Sequence, residues 1–164
     1  ERGSEVAFKD AITLVSSGGK GYVKESEIKK NINLIKKYKV IIGKINPDRG
    51  GVNNAKDSKS NVTTKVRVLK PNEINSESYL LLAAFNDEEE AKNCAIYFSS
   101  KFVRFLVFLT LSSMNITKKN FQFAPLEDFK CVWNDEKLYT KYNLSDSEIE
   151  HIESVIRSME FNYE

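Results

Sequence analysis

Residues 86–111 read NDEEEAKNCAIYFSSKFVRFLVFLTL, and the reading of this stretch decides the fold. Ala91, Cys94, Ala95, Phe98, Phe102, Phe105, Leu106 and Leu109 recur at three- and four-residue spacing, which is the period of one helix face. Asn86 is placed to cap such a helix, and Asp87, Glu88, Glu89 and Glu90 fill its first turn, where carboxylates meet the positive end of the helix dipole. The stretch predicts one long helix reaching about Leu111, the spine of the core, with Phe98, Phe102, Phe105 and Phe108 turned inward.

Working outward, the flanks alternate between strand and helix signals. Residues 79–85 form an apolar run of strand length, and Pro71 separates it from residues 63–69, where Thr64, Val66 and Val68 alternate with Thr63, Lys65 and Arg67 as in a half-buried strand with a cationic outer face. Val40, Ile41 and Ile42 make a third, buried strand, and residues 6–16 a β-rich stretch closed by the turn Ser17-Gly18-Gly19-Lys20-Gly21. Ser26 opens a basic helix on the stripe Ile28, Ile32, Ile35. Downstream, residues 121–123 read as a short extended segment. Two short acidic helices follow, over 135–142 and from the N-cap Ser145, whose capping box closes with Glu148. Without strict βαβ alternation the fold class is α+β: a mixed sheet of short strands on a long central helix, with two short C-terminal helices. The division expected is a domain over 1–130 and a helical extension over 131–164 packed on it, Trp133 and Tyr139 pinning the helices.

Charge is distributed unevenly. The chain of 164 residues has a formal net charge of +2, yet residues 1–70 hold 16 Lys+Arg against 7 Asp+Glu, net +9, and residues 71–164 hold 9 against 16, net −7. Between Lys36 and Lys70 there are ten cations and two acids, interleaved with Asn and Ser. Residues 46–61, NPDRGGVNNAKDSKSN, form a loop longer than most in compact domains. Lys and Arg neutralise phosphates, and Asn and Arg can pair with adenine and guanine edges. This pattern fits a DNA-reading surface built from Lys20, Lys44, Arg49, Asn53, Asn54, Lys56, Lys59, Lys65 and Arg67, and equally a solvated basic face with a mobile loop; composition does not choose between them.

Catalytic chemistry finds little footing. The only histidine, His151, lies among Glu148, Glu150 and Glu153 and reads as a solvated surface residue, and no phosphate-cradling GxxxxGK[ST] occurs. Cys94 and Cys131 give neither a disulfide framework nor a four-ligand zinc set. Asp48 with Glu90 and Lys92 matches the letters of a metal-dependent nuclease, but Glu90 and Lys92 fall inside the patterned helix. No catalytic residue and no metal site is assigned. No span is long enough for a membrane, and no signal peptide is visible, so the expectation is a soluble protein of the cytoplasm. The absent initiator methionine fits a piece of a longer chain.

Three groups of segments together carry a resemblance. They are GYVK at 21–24 through IKKN at 28–31 to KYKVI at 37–41; SYL at 78–80 with FNDEEEA at 85–91 and KFVRFLV at 101–107; and FAPLEDF at 123–129 with WNDEKLY at 133–139 and IEHIE at 149–153. From about Lys20 to Met159 the chain resembles the C-terminal target-recognition region, the TaqI-like specificity domain, of restriction-modification adenine methyltransferases, a group that includes fused type IIG restriction enzymes. The resemblance implies a module that chooses the DNA sequence and grips the duplex while an upstream methyltransferase domain binds S-adenosylmethionine and receives the flipped adenine. That family's Asn-Pro-Pro-Tyr-type motif is absent; the only Asn-Pro is Asn46-Pro47, followed by Asp48-Arg49. The implied partners are double-stranded DNA and the methyltransferase domain, with no cofactor in this fragment, and the acidic half is expected to face away from DNA. A small metal-dependent nuclease and a non-catalytic protein-interaction domain with a basic loop are the alternatives.

Overall fold

A computed structural model describes residues 3–48 and 59–163. The chain is α+β, with two three-stranded sheets where the sequence pattern indicates one. The first has the order β2-β1-β5: β1 (Ile12–Ser16) and β2 (Gly19–Val23) form an antiparallel hairpin, and β5 (Glu73–Asn75) pairs with β1 in parallel. Ser17-Gly18 makes the two-residue turn, and Gly19 takes φ 121°, a conformation open to glycine and strained for other residues. The β-rich stretch expected from Val6 thus contributes a strand only from Ile12, and Val6 itself is 74% exposed.

The second sheet is antiparallel, β4-β3-β6, from β3 (Tyr38–Gly43), β4 (Arg67–Leu69) and β6 (Tyr79–Phe85), with a register shift between Val40 and Ile41. β3 is buried on both faces, which is why its apolar run is continuous. Val40 and Ile42 join Leu80, Ala91, Cys94 and Ala95 in one core cluster, while Ile41 meets Val15 and Leu69 in another between the two sheets. The strand expected over 63–69 shortens to three residues.

The expected single helix is two. α1 (Glu88–Ser99) is capped by Asp87, one residue after Asn86, and α2 (Lys101–Phe108) starts afresh from Ser100, whose ψ of 150° leaves the helical region and whose hydroxyl accepts from Val103 N. Asp135 completes the new N-terminus: its two carboxylate oxygens accept from Lys101 N at 3.0 Å and Phe102 N at 2.8 Å, satisfying donors that the break exposes. Phe108 ends up outside, 39% exposed, whereas Phe102 is buried.

α3 (Asp135–Lys141) and α4 (Asp146–Val155) pack against α2, and α4 begins with the Ser145–Glu148 capping box read in the sequence. Their core joins Leu138, Ile152 and Ile156 to Val62, Tyr97, Phe102, Val103 and Val107. Trp133 and Tyr139 do hold this end: Trp133 Nε1 donates to Asp128 O, Lys141 Nζ lies 4.4 Å from its ring centroid, and the Tyr139 hydroxyl donates to Glu153.

Two further expectations are corrected. The basic helix from Ser26 is two 3-10 turns, Glu25–Glu27 and Ile32–Leu34, separated by Ile28 in extended conformation and by Asn31 at φ 55°, in the left-handed region that an α-helix does not pass through. The extended segment at 121–123 is the end of another 3-10 turn, Lys118–Phe121. No helix among the described residues is long and apolar enough to cross a membrane. Leu138 is fully buried beneath α2, so Leu138→Ala is expected to lower the unfolding free energy by about 2–5 kcal/mol. Leu126→Ala, at a side chain 94% exposed, should shift it by less than about 0.5 kcal/mol, and urea denaturation followed by circular dichroism measures both.

Candidate nucleic-acid interface

The basic loop is tied at its base by Asp48. Its carboxylate is buried and accepts four hydrogen bonds: from Ser60 Oγ at 2.6 Å, Asn61 N at 2.8 Å, Val62 N at 2.9 Å and Asn61 Nδ2 at 3.0 Å. Burial by itself would raise its pKa, but the bonds from Ser60, Val62 and Asn61 outweigh it and hold the carboxyl below its ordinary value. Val62 adopts φ 64°, in the left-handed region that a β-branched residue rarely enters. Such backbone costs about 1–3 kcal/mol, and here its N–H donates to Asp48 while its side chain is fully buried in the helical core. The expected contacts at Arg49, Asn53, Asn54 and Lys56 lie outside the described residues.

The remaining sequence-predicted cations divide between two places. A groove of about 430 Å³ runs along β4, an edge strand of its sheet, and Lys20, Lys65, Arg67 and Lys70 line it together with Glu73. Lys20 comes from the start of β2, brought there because β1 pairs with β5 just beyond β4 in the chain. Lys20 and Lys65 are exposed, and Lys20 Nζ lies 3.9 Å from Glu73, a distance at which a solvated pair holds the side chain only weakly. Arg67 is half-buried; its guanidinium donates to the Tyr79 hydroxyl at 3.2 Å and sits 5.8 Å from that ring's centroid. Lys44 lines a different cavity, of about 620 Å³, with Lys29, Lys30, Leu14 and Leu81. Lys59 is half-buried at the loop stem, where its carbonyl receives Arg157.

Lys70 belongs to the groove although only its place in the run of cations marked it. Two other cations are structural. Lys39 is 3% exposed, and burial brings its pKa down to about 8 against the attraction of Glu73. Arg104 is 1% exposed and donates to Ser99 O, Asn61 O and Arg157 O, joining the end of α1, the loop stem and the C-terminal segment. The groove's far wall is made by Glu160, Asn162 and Tyr163, so the end of the acidic half reaches the cationic surface instead of facing away from it.

Two residues of the nuclease pattern, Asp48 and Lys92, are engaged elsewhere. The oxygens of Asp48 are engaged by the loop stem, and Lys92 on α1 pairs with Glu89 at 2.7 Å and Glu88 at 3.6 Å. Among the described residues no group of three or more His, Cys, Asp or Glu side chains is placed to hold a metal ion. His151 is exposed with its ring edge-on to Phe105, Cys94 is buried with its thiol pKa pushed up by desolvation, and Cys131 is exposed and free. No protein family, curated protein or solved structure matches the chain.

Asp48→Asn leaves an amide facing four donors and is expected to destabilise the fold by about 1–3 kcal/mol near neutral pH. Because the folded pKa of Asp48 is depressed, its contribution is complete above the ordinary value of 3.8 and is lost as the pH falls below that through the folded value. Urea midpoints of wild type and variant should therefore converge in acid; a gap that stays constant would show that the carboxylate charge does not close the loop.

Proposed function

We propose that the chain is the DNA target-recognition module of an adenine-specific restriction-modification methyltransferase, or of a fused type IIG restriction enzyme. In this reading it has no catalytic site of its own and works in the cytoplasm beside an S-adenosylmethionine-binding domain. Two supports are independent of each other: the segments between Lys20 and Met159 that resemble such specificity domains, and the surface chemistry.

The observation that carries the reading is the convergence of Lys20 with Lys65, Arg67 and Lys70 in one groove on an edge strand. Three of the four cations come from a single short stretch, and the fourth arrives from a hairpin some 45 residues earlier. Ammonium and guanidinium groups spaced along a strand track a phosphate backbone, and they fix register while base edges are read by neighbouring polar side chains. The short edge strand flanked by lysines also resists pairing with another strand.

Fluorescence anisotropy with a labelled duplex over a range of salt concentrations tests the proposal. The double variant Lys65→Glu/Arg67→Glu is expected to weaken binding at least about tenfold and to flatten the slope of log affinity against log salt by about 1–2, since each phosphate contact supplies about 0.9. No detectable duplex binding at low salt would leave the protein-interaction reading in its place. Plasmid incubated with Mg²⁺ is expected to stay intact; cleavage that Glu90→Ala abolishes would make the protein a nuclease.

A further inference from the structure

The cationic groove is partly filled by the protein itself. Glu160, Asn162 and Tyr163 line the same space as Lys20, Lys65, Arg67 and Lys70. The Tyr163 ring centroid lies 5.3 Å from Lys70 Nζ and 4.5 Å from Lys92 Nζ, and its hydroxyl donates to Glu88 Oε1. Both ammonium groups are close enough for cation–π attraction. Phe161, two residues earlier, packs on the cluster formed by β3, β6 and α1.

The way this segment is attached matters. Arg157 N bonds to Ser60 O and Arg157 O accepts from Arg104, so the chain is firmly held up to that residue. From 158 to 163 there is no regular secondary structure, and among the described residues no backbone–backbone hydrogen bond ties it to the body. Among the described residues, side chains hold it there: Phe161 on the core surface and Tyr163 on two lysines and a glutamate. Contacts of that kind at exposed groups are weak and exchange readily. Glu160 and Tyr163 bring a carboxylate and an aromatic ring, the chemical counterparts of a phosphate and a base, into the same groove.

We propose that residues 158–163 are an internal strap that competes with DNA for the cationic groove, so that binding the duplex requires Tyr163 to leave Lys70 and Lys92. This rests on the reading of the groove as the DNA-binding surface. The strap lowers the protein's affinity for arbitrary polyanions and sets a threshold that a well-fitting duplex can pass, because the strap's departure uncovers Lys70 in the groove while Lys92 stays paired with Glu88 and Glu89.

The test is duplex binding by anisotropy for the wild-type chain, Tyr163→Ala, Tyr163→Phe and Lys65→Glu/Arg67→Glu, each checked for folding by circular dichroism. Tyr163→Ala is expected to tighten binding by about three- to tenfold, the effect of losing contacts of cation–π strength. Tyr163→Phe keeps the ring over the lysines but not the bond to Glu88, and should tighten it less. The Tyr163 ring resonances of the wild type should move to solvent-exposed positions when duplex is added. Unchanged affinity in Tyr163→Ala, with binding abolished in the double variant, would remove the strap and leave the groove reading standing. Weaker binding in Tyr163→Ala would make Tyr163 a DNA contact, which also overturns the strap. Wild-type binding retained in the double variant would overturn the groove reading, and the strap with it.

Discussion

The guanidinium of Arg104 is the constraint on which the assembly depends. It is 1% exposed, and it spends its donors on three carbonyls from three separate parts of the chain: Ser99 at 3.0 Å, Asn61 at 3.1 Å and Arg157 at 2.7 Å. Burial lowers its pKa to about 10, and Asp135 and Asp48 oppose that shift by attraction from a distance. The planar guanidinium spreads its donors over three nitrogens, which suits carbonyls that arrive from three separate segments. The Ser99 carbonyl is available because α1 ends there, so the helix break, the loop stem and the C-terminal segment are one linked arrangement. Removing the fork would strand buried carbonyls in all three, and each such loss costs about 1–3 kcal/mol.

Asp48 works on the other side of the same stem. Arg104 holds the Asn61 carbonyl while Asp48 holds the Asn61 and Val62 N–H groups, so this short piece of backbone is fixed from both of its polar edges. That explains how Val62 can persist at φ 64° with its side chain in the core. Lys39 repeats the device at the opposite end of the sheet, where one buried ammonium gathers carbonyls from the turn before β3 and from Lys70 after β4. Ion–dipole bonds to carbonyls let the protein bury two cations with no carboxylate in contact, at the cost of making them unavailable to a ligand.

Much of the fold was legible because its signals are local. The strand over 79–85 is a continuous apolar run of the right length, and the start of α4 is written in Ser145 and Glu148. The break at Ser100 was not legible from periodicity, since Phe98, Phe102 and Phe105 keep helical spacing across it; one residue's ψ changes the helix direction without disturbing the pattern. The Ser99-Ser100 pair was the available signal, as was Asp135, but the cap it supplies is a contact across 34 positions. At 28–35 the apolar spacing is helical, yet Asn31 at φ 55° interrupts it, a left-handed residue that periodicity does not reveal. In the groove, Lys65 and Arg67 were marked by alternation, whereas the arrival of Lys20 depends on the parallel pairing of β1 with β5, and Tyr163 carries no signal of its own.

The two charged halves of the chain therefore do not become two faces. Arg104 belongs to the acidic half yet is buried against the stem of the basic one, and Glu160 stands in the groove with Lys20, Lys65, Arg67 and Lys70. Net charge summed along the sequence governs long-range encounter with a polyanion, which is felt over a distance of about a Debye length, roughly 8 Å at physiological salt. What happens at contact is set by the charges that converge, and there four cations meet two carboxylates, Glu73 and Glu160. The excess of +9 in the first seventy residues thus overstates the grip of the groove. Part of it is buried at Lys39, where backbone carbonyls take the ammonium's donors, and part faces a separate cavity through Lys29, Lys30 and Lys44. Under the proposed reading, four cations offset by two carboxylates would hold a phosphate backbone more loosely than a simple polycation does.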